Sequence, residues 1–154
     1  MTEPAPFQLR PARDGDREAV NALWHASASL PSVGLPAMPS REALRARLDQ
    51  EWVSGWDVTL AVRGEALLGF AALKPAEAVL DQLFVDPAAL GQGVGSALLD
   101  HAKRAMPEGF TLRTLSANTR ARRFYEASGL TLLRHEPHPR MNVPSTFYGW
   151  KRET

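Results

Sequence analysis

The segment Leu90-Gly91-Gln92-Gly93-Val94-Gly95-Ser96 alternates glycine with other residues between a strand-like run and a helical one. Glycine permits positive φ and close approach of the backbone to a neighbour. Exposed N–H groups at a helix start, together with the helix dipole, favour an anion such as phosphate. The same residues also suit a tight strand-to-helix turn that binds nothing. Two phosphate motifs can be set aside. A P-loop requires a Gly-Lys pair, and the chain has none. The dinucleotide fingerprint requires a sixth-position glycine, but counting from Gly91 gives Ser96 and counting from Gly93 gives Leu98.

The elements around the turn follow from periodicity. Phe7 to Arg10 alternates as a short strand does, and Asp14-Gly15-Asp16 offers a helix cap. Val20, Leu23, Trp24 and Ser27 then fall on one helical face. Three prolines and Gly34 bar regular structure from Pro31 to Pro39, yet this stretch is apolar enough to lie against something. Ser40 can cap a second helix with Leu44, Leu48 and Trp52 along one side. Asp57–Val62, Ala66–Leu73 and Val79–Val85 read as three strands, the first two joined by an Arg63-Gly64-Glu65 turn. A helix from Val94 to Arg104, a strand from Phe110 to Ser116 and a short helix through Ala121, Phe124 and Tyr125 follow. Gly129 can end that helix, and Leu130–Arg134 and Thr146–Trp150 are the last strands. Strands in a meander followed by alternation with helices predict an α/β domain: a mixed sheet with helices packed on it.

At 154 residues the chain is sized for one domain, residues 7–154, with residues 1–6 as a flexible N-terminus. Hydrophobic residues make up 44% and charged residues 23%, which suits a globular domain and not a disordered chain or fibre. The net charge of +1 leaves no electrostatic footprint for nucleic acid or an acidic membrane. The absence of cysteine removes disulfides, thiolate zinc sites and a cysteine nucleophile, and fits a cytoplasmic location. No run is long and apolar enough to span a membrane, and the first residues lack the basic and apolar regions of a secretory signal. His135-Glu136-Pro137-His138 is not expected to hold a metal, because Pro137 prevents the helix that an H-x-x-x-H site uses. His101 reads as a helix-face residue.

Taken together, Val85 to Leu99 and a second segment, Asn118-Thr119-Arg120-Ala121-Arg122-Arg123-Phe124-Tyr125-Glu126-Ala127-Ser128-Gly129-Leu130, resemble the GNAT N-acetyltransferases. The first resembles the family signature [QR]-x-x-G-x-[GA], with Leu90 where Gln or Arg is usual. The second is similar to its N-x-x-A-x-x-[FL]-Y-x-x-x-G-[FL] segment. Val143 to Tyr148 also resembles a family ending, with a proline before the last strand. The resemblance implies the GNAT acyl-CoA N-acyltransferase fold: a mixed, mostly antiparallel sheet of six to seven strands, about four helices and a splayed parallel strand pair.

It further implies that acetyl-CoA binds at that splay as the acyl donor. The strand through Leu83, Phe84 and Val85 would meet the pantetheine arm through its backbone. Leu90, Gly91, Gln92, Gly93, Val94, Gly95 and Ser96 would surround the pyrophosphate. Asn118, Ala121 and Phe124 would line the opposite wall, and Arg122 or Arg123 would meet the 3′-phosphate. Tyr125 would protonate the departing sulfur, since a phenol with a pKa of about 10 can supply a proton there. A carboxylate on the fourth strand is the candidate general base. Asp81 is that candidate, and simple alternation puts it on one face with Leu83 and Val85, and Phe84 on the other, unless a bulge changes the register. The Val85 N–H is the candidate donor to the developing oxyanion.

The implied acceptor wall comprises Trp24, His25, the Pro31–Pro39 loop and the segment from His135 to Phe147. It is aromatic and mildly basic, unlike the acidic site expected for a polyamine. A small amine, an amino acid and a peptide N-terminus all remain open. The leading expectation is direct acetyl transfer to a primary amine in a ternary complex. The alternative is an acyl-CoA-binding sensor without turnover. A homodimer is common in such folds.

Overall fold

Apolar spacing becomes helix and strand over residues 6–152, which are those the computed structural model describes. Residues 1–5, most of the end expected to be flexible, lie outside the described residues. The strands are β1 (Gln8–Pro11), β2 (Asp57–Arg63), β3 (Ala66–Lys74), β4 (Val79–Val85), β5 (Phe110–Leu115), β6 (Thr131–Pro137) and β7 (Pro144–Trp150). The helices are α1 (Arg17–Ala28), α2 (Arg41–Ser54), α3 (Val94–Ala105) and α4 (Thr119–Ala127). One sheet runs β1-β2-β3-β4-β5-β7-β6. Its β4–β5 pair is parallel and the other neighbours are antiparallel. This is the mixed, mostly antiparallel architecture the sequence predicts.

Each face of the sheet has its own core. Leu98 and Leu99 of α3 and Tyr125 of α4 pack with Leu73, Leu112 and Tyr148 on one side. Val20 and Trp24 of α1 and Leu48 of α2 pack with Leu60 and Phe70 on the other. The Ser40 hydroxyl caps α2 by accepting from the Ala43 N–H at 3.1 Å. The expected cap of α1 takes another form. Asp14–Asp16 makes a 3-10 turn, and the Asp16 carboxylate accepts from the Arg13 N–H and the Arg10 guanidinium instead.

The sheet opens at its centre. Among the described residues, β4 and β5 pair at Val79↔Thr111 alone, with the Thr111 N–H donating to the Ala78 carbonyl at 3.0 Å. Beyond that point the strands part. As a result every β4 residue except Leu80 stays half-exposed, although β4 is the middle strand of the sheet.

The register between β3 and β4 decides what faces the gap. It slips so that Ala72 pairs with Gln82 but Leu73 pairs with Leu80, which leaves Asp81 as the extra residue of a β-bulge. The expectation that Asp81 shares a face with Leu83 and Val85 is thereby overturned. Leu80 joins the core against which Leu83 and Val85 pack, and Asp81 turns to the α1–α2 side. There its carboxylate accepts from the Trp56 indole N–H at 2.8 Å. Past the bulge, the Asp86 N–H donates to the Leu68 carbonyl at 2.7 Å, which makes Gly69↔Val85 a non-hydrogen-bonded pair. By the same alternation the N–H and C=O groups of Leu83 and Val85 point away from β3, into the gap. Those of Phe84 point at β3, so Phe84 offers the gap only its side chain, contrary to the expectation for its backbone.

Helix α3 lies close to this edge because Gly69 has no side chain. A Cβ there would stand 2.8 Å from the Phe84 carbonyl oxygen, 3.1 Å from Val94 Cγ1 and 3.2 Å from Leu98 Cδ1. Gly69→Ala must therefore push β4 or α3 aside. It is expected to cost about 1–3 kcal/mol, the range for overpacking, read as a lower midpoint of urea unfolding.

Candidate active site

The glycine turn presents unpaired amides. Gly91 and Gly93 take φ of 81° and 84°, and a Cβ at either would meet nothing within 4 Å. The first intrahelical bond of α3 runs from the Ala97 N–H to the Gly93 carbonyl at 3.0 Å. The amides of Val94, Gly95 and Ser96 therefore have no helical acceptor. They open onto a cavity of about 320 Å³. That cavity runs along the half-exposed edge of β4 to α4.

Its lining gathers most of the residues picked from the sequence. Leu83, Phe84 and Val85 come from β4. Leu90, Gly91, Gly93, Val94, Gly95 and Ser96 come from the turn and α3, and Asn118, Ala121, Phe124 and Tyr125 from α4. The Val85 carbonyl already accepts from the Ser27 hydroxyl at 3.2 Å, so its N–H is the group left facing the gap. Asn118 Oδ1 caps α4 by accepting from the Ala121 N–H at 3.2 Å. Phe124 lies 3.4 Å from where a Gly95 Cβ would stand, which closes the wall opposite β4.

Tyr125 is 7% exposed, yet its side chain lines this cavity. The ring sits between Phe124 and Tyr148, with centroids 5.4 and 5.8 Å away. Burial raises the pKa of its phenol well above the ordinary tyrosine range, so the hydroxyl keeps its proton.

Three expected residues are placed elsewhere. Gln92 turns its side chain out of the cleft and accepts from the Arg63 guanidinium at 2.9 Å. Arg122 points at the sheet, donating to Tyr148 Oη at 3.2 Å and the Ser116 carbonyl at 3.3 Å, so it does not face the proposed 3′-phosphate position. Arg123 lines an adjoining depression with Arg120 and Ser32. Sequence reasoning passed over Arg120, which borders both the depression and the cleft, and Ser27 on α1. The spacing held the signal for Arg120. Residues 120, 123 and 124 stand at i, i+3 and i+4 and share one helix face.

Asp81 lies outside this first cavity. It lines a second one, also of about 320 Å³, bounded by Trp24, Arg47, His138 and Phe147. The apolar proline-rich loop lies here as expected, with Val33, Leu35 and Met38 in the wall. Val33, Phe84 and Asn118 line both cavities. The two spaces thus meet at the parted strands.

A turn of free amides at a helix start, a cleft beside parted parallel strands and a second chamber adjoining it make up the candidate site. The chain belongs to the acetyltransferase (GNAT) family, whose model matches residues 22–130. Among curated proteins it is 34% identical over 71 residues to the peptidyl-lysine N-acetyltransferase YjaB of Salmonella typhimurium. That match covers 42% of this chain and 48% of YjaB, so the chain spans about half the length of this relative. Among solved structures, apo YjaB from Escherichia coli superposes with a TM-score of 0.78 at 24% identity, over 97% of this chain and 100% of that one. The protein yncA from Salmonella typhimurium, solved with acetyl-CoA, superposes with a TM-score of 0.69 at 18% identity, over 97% and 96% of the two chains. These structures show the shared fold.

Proposed function

We propose that this protein is an acetyl-CoA-dependent N-acetyltransferase acting on a primary amine by direct transfer in a ternary complex. The observation that carries the reading is the meeting of two cavities at the β4–β5 splay, one lined by unpaired amides and the other by a carboxylate. Family membership and the YjaB relative point the same way.

The residues of the first cavity fit the donor. The amides of Val94, Gly95 and Ser96 suit its pyrophosphate, with Gly91 and Gly93 leaving room for close approach. Arg120 and Arg123 stand where a terminal phosphate would find cations. The outward-facing N–H and C=O groups of β4 suit the amides of its arm. Acetyl-CoA supplies an activated thioester carbonyl when bound. The N–H of Val85 faces the gap and would stabilise the oxyanion that develops there. Tyr125 would give its proton to the sulfur as the C–S bond breaks. Asp81 would take the proton that the amine must lose before its nitrogen bonds to the acetyl carbon.

A thermal melt tests the donor reading directly. Acetyl-CoA at 100 times its Kd should add about 2.7 kcal/mol, a shift of several degrees. NAD and ATP should add far less. A shift with acetyl-CoA but release of CoA with none of a broad panel of amines would favour a sensor over an enzyme. No shift with well-folded protein would end the proposal.

A further inference from the structure

The second cavity is lined by two arginines, Arg47 and Arg113, that no carboxylate bridges among the described residues. Arg47 of α2 is half-buried against the Trp24 ring, 5.6 Å from its centroid. Arg113 of β5 stands 5.9 Å from the Phe147 centroid. Arg140 lies between β6 and β7, beside His138, whose Nδ1 accepts from the Arg140 and Met141 amides at 3.1 and 3.3 Å. Among the described residues none of these three guanidiniums forms an ion pair or a hydrogen bond. They are near enough to feel one another. Burial first, and then Arg140 and Arg113, holds the pKa of Arg47 below the ordinary arginine range. Burial and the same set of arginines lower that of His138.

The nearby acids are committed elsewhere. Glu51 pairs with Lys74 at 2.9 Å, and Asp81 stands 3.9 Å from the same ammonium and accepts from Trp56. Both act on Arg47 at longer range without forming a bridge to it. The region thus holds four cations, Arg47, Lys74, Arg113 and Arg140, against three carboxylates, Glu51, Glu77 and Asp81, all of which act on Lys74. Arg113 and Arg140 are exposed enough for water to satisfy them, but Arg47 is not so placed. A cation partly withdrawn from water into an apolar chamber calls for an anionic partner. Planar guanidiniums meet a carboxylate with paired N–H donors. Trp24, Met38, Met141 and Phe147 give the chamber apolar and aromatic walls, beside the polar Gln82, Thr114 and Asn118.

We propose that the acceptor is an amine that also bears a carboxylate, a free amino acid with an apolar side chain, its carboxylate on Arg47 and Arg113 and its amine toward Asp81. The inference rests on the acetyl-transfer reading of the adjoining cleft and narrows it. The amino-acid nitrogen bonds to the acetyl carbon, the C–S bond breaks, and an N-acetyl amino acid leaves with CoA. A lysine side chain within a peptide has no carboxylate near its amine and would leave these arginines unanswered.

The test uses matched pairs: phenylalanine with phenethylamine, leucine with isoamylamine, and lysine capped as its N-acetyl methylamide. CoA release is followed with a thiol reagent, to which the cysteine-free chain adds no background. Each amine is also tested by thermal melt with and without CoA. The acids should exceed their matched amines by about tenfold or more in kcat/KM, as expected for a charge-assisted contact. They alone should raise the melting temperature. Arg113→Gln, at an exposed position, and Arg47→Gln should both shrink the acid-to-amine ratio, mainly through KM. Equal use of matched amines, preference for capped lysine, a ratio unmoved by Arg113→Gln, or no response to any acid would overturn the inference. Loss of the acetyl-CoA shift would instead remove the transfer reading, and the donor-free melts would still judge the cavity.

Discussion

Replacing Tyr125 with phenylalanine lowers kcat by about a hundredfold to ten-thousandfold, the range for a positioned general acid. The ring stays between Phe124 and Tyr148, so the packing that holds α4 against the sheet survives. Acetyl-CoA should therefore still raise the melting temperature of the variant, which separates lost chemistry from lost binding. A kcat within a few-fold of the wild type would make Tyr125 a packing residue only. The raised phenol pKa adds a second signature, since the acid stays protonated throughout an ordinary assay range. Wild-type activity should show no alkaline fall from this group below pH 10. The stability term has a definite sign. A folded-state pKa above the unfolded value of about 10 contributes stability that is complete below that pH and lost as the pH rises further. The variant should lose less stability than the wild type above pH 10, in urea melts taken across that range.

Much of this site was legible in the sequence because its parts are local. Gly91, Gly93 and Gly95 fall within five consecutive residues, and so do Ala121, Phe124 and Tyr125. Each group needs only one turn or one helix to come together. The strand from Val79 to Val85 was equally plain, since Asp86-Pro87 ends it and apolar residues fill it. The position of Asp81 was not legible. A bulge is a relation between two strands, and the extra residue of β4 is defined only by the pairing of Leu73 with Leu80. Once that slip occurs, the candidate base leaves the face of Leu83 and Val85 and lines the second chamber. Which of Arg122 and Arg123 turns to the sheet was open for a similar reason, and it is Arg122. Its direction depends on the rotation of α4 over the sheet, which is fixed by Tyr148 from a distant strand. The same limit hid the second cavity. Its arginines come from α2 and β5, with His138 and Met141 added by the turn between β6 and β7, and only the sheet order brings them together.

Asp81→Asn should lower kcat/KM at neutral pH by about a hundredfold or more. Asparagine keeps an oxygen to accept the Trp56 indole N–H, so the bulge and the wall beside it should persist. What is lost is the negative charge 3.9 Å from Lys74, a partly exposed pair worth at most about 1 kcal/mol of stability. The variant should melt near the wild type while turning over poorly. The pH dependence then tells a base from a spacer. An acceptor amine is mostly protonated near neutrality: an α-amino group at a chain end has a pKa of about 8, and the carboxylate of a free amino acid raises it further. As the pH rises, water removes that proton unaided and the carboxylate has less to contribute. The ratio of wild-type to variant kcat/KM should therefore fall steadily as the pH rises from 7 through the pKa of the amine. A constant ratio across that range would assign Asp81 to positioning the amine, or to holding the bulge, and would leave proton removal to solvent in the second cavity.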